Sequence, residues 1–170
     1  IIPQLISSQP PSGARSIKVG DRWVKYHMAK MTKTFIVSAE DPYYFYSYAM
    51  VMQDPNHDAW NQPYFVARVV DNACNELQQK TYISDINDPK FDFYNGYYPR
   101  IPGSNDGAIA YRQWACDSFD LSSYIGNEVT IEFITADCGE SAHFGYAYVS
   151  DLCKSCREVP TILIDTLPVS

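Results

Sequence analysis

The sequence predicts an all-β, antiparallel sandwich, and three observations carry that prediction. Aromatic residues make up 15% of the chain, with 14 Tyr, and 11 Pro accompany them; such a composition favours sheet over helix. Short apolar runs are separated by turn signals such as Asp54-Pro55-Asn56 and Asp71-Asn72, the punctuation of a sandwich. Where periodicity exists it is two, and no segment carries a convincing 3.6-residue apolar repeat. At 170 residues, one domain with a full core is expected.

Residues 1–15 are punctuated by Pro and Ser and read as an extended N-terminal arm. A short strand is expected at 16–19. Residues 30–38 partly alternate, with Met31, Phe35 and Val37 on one side. The run at 43–52 (YYFYSYAMVM) is aromatic and β-rich, with Tyr44, Tyr46 and Tyr48 on one face and Tyr43, Phe45 and Ser47 on the other. The first row is expected to pack the core; a sugar-stacking platform is the rival reading. Residues 64–70 form another strand, and 81–84 a short, weak one. The segment from 85 to 107 reads as a long loop, yet it holds Phe91, Phe93, Tyr94, Tyr97 and Tyr98, which argues for function over disorder. Strands follow at 108–115, 128–135 and 144–149, and 161–164 can add an edge.

Charge excludes some functions. A net charge of −7 without a basic cluster is unsuited to neutralising a phosphate backbone, so no nucleic-acid partner is expected. No apolar run is long enough for a spanning helix, so no membrane insertion is expected. The start at Ile1-Ile2-Pro3 reads as a processed product or excised module. Five cysteines fit an oxidising compartment, so an extracellular, secreted or cell-surface location is expected.

DPNH at 54–57, QPYFVARV at 62–69, DLSSYIGNEVTIEF at 120–133 and DCGESAHFGYAY at 137–148 together resemble a jelly-roll module. Such modules occur in large secreted or surface, gliding-associated and adhesin-like proteins of Bacteroidota. The resemblance runs from roughly Ser16 to Cys153, places a jelly-roll domain at 16–157, and implies a jelly roll of the galactose-binding or carbohydrate-binding-module kind, with an adhesive or glycan-binding role. It leaves 158–170 as a C-terminal extension or edge strand. It carries no catalytic residues. Two positions depart from the pattern: Ser141-Ala142 replaces a glycine pair, and Ser150 replaces an acid that falls instead at Asp151. Related jelly rolls place structural calcium near such an acid, so Asp137 and Asp151 are the candidate calcium ligands.

Strand direction can be counted if successive strands cross the sandwich in opposite senses. One end then collects loops 53–62, 85–107 and 136–143; the other collects Cys74, Cys116, Cys153 and Cys156. An intervening strand would hold Cys138 and Cys153 on the order of 25–30 Å apart, whereas a disulfide needs Cα atoms within about 7 Å. The expected bridges therefore pair Cys74 and Cys116 with Cys153 and Cys156 in an undecided order, and Cys138 is the odd cysteine.

The first end is chemically mixed. Trp60, Tyr94, Asn95, Tyr97, Tyr98, Asp54, His57, Asp58 and His143 are of the types that bind sugars, rings against C–H surfaces and polar groups on hydroxyls. The competing reading is that these aromatics seal the open end of the sandwich. His57, Cys138 and His143 with nearby acids could also hold zinc, although no tight ligand spacing supports it. Cys138 beside His143 or His57 lacks any recognisable nucleophile signature, and no enzyme activity is expected. The expected function is thus a non-catalytic binding or adhesion module whose partner is a glycan or cell-surface polymer. The alternative is a structural subunit of a fibre or long adhesin, assembling with neighbouring subunits through its terminal segments.

Overall fold

The computed structural model describes residues 4–13, 15–94, 108–140 and 143–150. Two antiparallel sheets face each other. The first contains β1 (Ile17–Gly20), β9 (Gly145–Ser150), β3 (Tyr43–Asp54), β7 (Ala108–Asp120) and β6 (Asp92–Tyr94), in that order; the second runs β2 (Met28–Ile36), β8 (Glu128–Ala136), β4 (Tyr64–Asp71), β5 (Glu76–Ile83). The expected antiparallel sandwich is what the chain forms. Among the described residues, no helix is long and apolar enough to cross a membrane.

The core follows from alternation on β3. Tyr44, Tyr46, Tyr48, Met50 and Met52 point between the sheets and meet Phe65, Phe119 and Phe133. Tyr46 stacks on Phe119 at 5.6 Å and meets Phe133 edge-on at 5.0 Å, the offset and edge geometries that ring quadrupoles prefer. The first tyrosine row is therefore core, as expected. Its polar tips are accommodated in a chain: the Tyr48 hydroxyl donates to Tyr82 at 2.8 Å, and Tyr82 donates to Asp117 at 3.0 Å.

Strand β3 is buried on its other face as well. Ala49 and Val51 join a second cluster with Ile6, Val24, Ile109 and Phe144, and the N-terminal arm lies over it. A register shift in β7 makes this possible: Tyr48 pairs with Ala115, but Met50 pairs with Arg112. Gln113 and Trp114 together oppose the single residue Ala49, so β7 carries a bulge. Gln113 donates to the Leu5 carbonyl and Trp114 to the Ser7 carbonyl, both at 2.8 Å.

Several expected boundaries move. Strand β5 begins at Glu76, earlier than the apolar signal suggests, because its ladder with β4 is backbone-driven; Lys80 reaches inward to Asp117 and the Ser118 carbonyl. Strand β7 continues to Asp120, since its polar C-D-S segment still pairs with Tyr43–Tyr48.

The expected set of disulfide staples is corrected here. Cys74 is exposed and Cys138 buried, and no disulfide joins two described cysteines. Cys74 sits at φ +65 in a turn whose backbone N–H groups are held by Asp71, not by a bridge. Cys116 lies within β7 opposite Ser47, not in a loop at the far end. Cys153, Cys156 and the 161–164 segment lie outside the described residues.

Candidate functional site

Four loops converge at one end of the sandwich. The β3–β4 (55–63), β5–β6 (84–91) and β8–β9 (137–144) loops were expected there, and the β1–β2 loop (21–27) joins them. Pairing fixes this, because Gly20 opposes Tyr146, Met28 and Tyr64 both oppose Ala136, and Tyr64 opposes Ile83.

Asp54 ties two of these loops together. Its carboxylate accepts the backbone N–H of Asn56, the Gln62 amide and the backbone N–H of Ile86, each at 2.8 Å. Three donors on one buried carboxylate make it a fastener. The Pro63 carbonyl accepts the Ser84 N–H at 2.9 Å, which adds a second tie. Between these loops opens a cleft of about 400 Å³ lined in part by Asp54, His57, Gln62, Tyr82, Ser84 and Asp88. Gln62 Oε1 and Ser84 Oγ are buried polar atoms with no partner among the described residues. Trp60, on the 3₁₀ turn Ala59–Asn61, is 78% exposed and follows Ala59 of the cleft wall. Asp58 is exposed beside it.

The β8–β9 loop closes on itself through Cys138 N–H to the His143 carbonyl at 3.0 Å, and Gly139 N–H reaches the Asn61 carbonyl at 3.0 Å. A Cβ at Gly139 would meet the Asn61 side-chain oxygen, which would have to turn aside. Inside the loop, Cys138 Sγ lies 3.1 Å from His143 Nδ1, and the His143 ring meets that of His57 edge-on at 5.1 Å. His57 Nε2 is 3.4 Å from Glu140 Oε2. Burial lowers the His143 pKa to about 4, with the neighbouring His57 adding to the fall and Asp54 opposing it. The ring is therefore neutral at pH 7.

Asp137 is engaged by the β1–β2 loop. It accepts the His27 N–H at 3.0 Å, and its own N–H donates to the His27 carbonyl at 2.9 Å. Burial raises its pKa to about 6, against the backbone N–H groups of His27 and Gly145. It thus anchors the 21–27 loop, where Trp23 and Tyr26 are 67% and 68% exposed. Lys25 and Tyr26 hold this loop at φ +114 and +60, a backbone conformation uncommon outside glycine and a site of local strain.

The structure therefore brings His57, Cys138, His143 and Asp54 together as strand counting implied, with Asp58 and Trp60 on the rim. Tyr94 is placed elsewhere, packed in the outer cluster near Ile109 and Tyr111. Asn95, Tyr97, Tyr98 and Asp151 lie outside the described residues. Sequence reasoning missed Gln62, Ser84, Trp23 and Tyr26. The last two could have been found by starting the strand count at β1, which puts the 21–27 loop at this end.

No family model, no curated protein and no solved structure matches this chain.

Proposed function

We propose that the chain is a non-catalytic, extracellular jelly-roll module that binds glycan at its loop end. It would be of the kind carried by large secreted and surface proteins of Bacteroidota. The observation that carries the glycan reading is the cleft beside Trp60. The exposed amides of Asn56 and Asn87 stand in the wall of an open polar cleft. Sugar hydroxyls would bond these amides, and an indole that is 78% exposed offers the flat face on which a sugar ring stacks. Trp23 and Tyr26 extend that aromatic rim at the same end. Jelly-roll connectivity is supported by the strand orders β1-β9-β3-β7 and β2-β8-β4-β5, in which consecutive strands from β1 to β4 alternate between sheets. A role without catalysis is supported by the burial of Cys138 and His143, both 0% exposed, where no substrate carbonyl reaches the sulfur. The family attribution rests on the four sequence stretches given above.

A fibre assembled by donating the N-terminal arm is not favoured. Residues Leu5 and Ile6 pack on the chain's own sheet, and the carbonyls of Leu5 and Ser7 are taken.

Glycan-array screening followed by titration calorimetry tests the reading. A bound glycan should lose about tenfold or more in affinity in Trp60→Ala, and also lose affinity in Asn87→Ala, with thermal stability unchanged in both. Unaltered binding in both variants would remove the cleft from consideration.

A further inference from the structure

His57, Cys138 and His143 form a cluster that the glycan reading does not require. One ligand-capable atom from each lies within 4.8 Å of the other two. Nitrogen and sulfur donors at zinc-like bond lengths of about 2.0–2.3 Å stand roughly 3.3–3.8 Å apart around a tetrahedral ion. Small side-chain adjustments therefore bring all three onto one centre.

Independent features point the same way. His143 is 0% exposed, yet among the described residues its Nε2 has no hydrogen-bond partner, and neither does the buried Nδ1 of His57. Buried imidazole nitrogens without partners are rare enough to need a cause. The other nitrogen of His57, Nε2, faces the Glu140 carboxylate at 3.4 Å. A carboxylate behind an imidazole, leaving the opposite nitrogen bare, is the usual support of a metal-binding histidine. The frame is also built in advance, since the Cys138–His143 and Gly139–Asn61 backbone bonds hold the two loops in place.

We infer that His57, Cys138 and His143 bind a single thiophilic transition-metal ion, with Glu140 orienting His57. One thiolate and two imidazoles select ions of the zinc and copper class over calcium or magnesium. Binding displaces the Cys138 thiol proton to solvent and changes no oxidation state. The ion clamps the β3–β4 loop to the β8–β9 loop beside the cleft, independently of what the cleft holds.

Cobalt(II) titration of chelator-stripped, reduced protein tests this, in a Cys74→Ser background so that the exposed thiol does not interfere. One equivalent should give the visible bands of a tetrahedral site together with a near-ultraviolet thiolate-to-cobalt charge-transfer band, and zinc(II) should displace both. The charge-transfer band should vanish in Cys138→Ala. In His57→Ala, whose side chain is only partly buried and whose fold is checked by circular dichroism, affinity should fall about tenfold or more. Should Cys138→Ala fail to fold, the His57→Ala result decides. Absence of stoichiometric cobalt or zinc uptake, or uptake indifferent to both substitutions, overturns the inference. Glycan binding is read separately, so either proposal can fail alone.

Discussion

Arg68 and Glu132 are directly opposite one another on β4 and β8, and the guanidinium Nε donates to the carboxylate at 2.7 Å. Lys30 completes the bridge from β2 at 2.8 Å. Three adjacent strands are thereby joined across the outer face of the second sheet.

This arrangement has a pH signature. Burial alone would raise the Glu132 pKa, but the hydrogen bonds and charges of Lys30 and Arg68 outweigh it and hold the carboxyl below its ordinary value of 4.5. A depressed folded-state pKa means stability that is present above the unfolded value and lost as pH falls through the folded one. Glu132→Gln should cost about 1–2 kcal/mol at neutral pH, since both cations are partly solvated. The difference from wild type should shrink towards zero as pH falls through the depressed folded-state value, measured by urea denaturation across pH.

Removing the Asp54 carboxylate strands three donors at once. Asp54→Ala should destabilise by about 2–4 kcal/mol and expose the 55–63 and 84–91 loops to limited proteolysis. Asp54→Asn keeps an acceptor and should lose less. Equal losses in the two variants would show that hydrogen bonding is not what Asp54 contributes.

The arm should behave as part of the fold. Ile6 is 5% exposed against the outer cluster, so Ile6→Ser should lower stability by about 1.5–3 kcal/mol. A substitution at exposed Gln9 should leave it unchanged. Denaturation midpoints check both, and an arm detached in solution would make Ile6 as tolerant as Gln9.

Thiol accessibility separates Cys74 from Cys138. A maleimide added to native, metal-free protein should modify Cys74 and spare Cys138 until the chain is unfolded, as read by peptide mass mapping. Rapid native labelling of Cys138 would contradict its burial.

The fold was legible where alternation is clean. Tyr44, Tyr46 and Tyr48 announce their own face, and Val129, Ile131 and Phe133 do the same on β8. Strands built from polar residues were not legible: β5 is ordered by its ladder with β4 while its Gln and Lys side chains give no apolar signal, and three-residue β6 is too short to show any. The meeting of His57 with Cys138 and His143 could be counted from strand direction alone. That Asp137 turns its carboxylate to His27 could not, because the choice is made by a backbone N–H donor, and such donors leave no trace in residue types. Cys116 was misplaced because its polar neighbours resemble a turn.

The bulge in β7 has a consequence for how the arm can vary. By turning Gln113 and Trp114 to the same side, it presents two side-chain donors in tandem, and both take main-chain carbonyls, those of Leu5 and Ser7. Carbonyls are common to every residue, so the grip is indifferent to spelling at these two positions. What is read for identity is the apolar pair Leu5 and Ile6, which packs on the sheet. The N-terminal segment is thus a cord that can be rewritten extensively while remaining tied at one apolar knot.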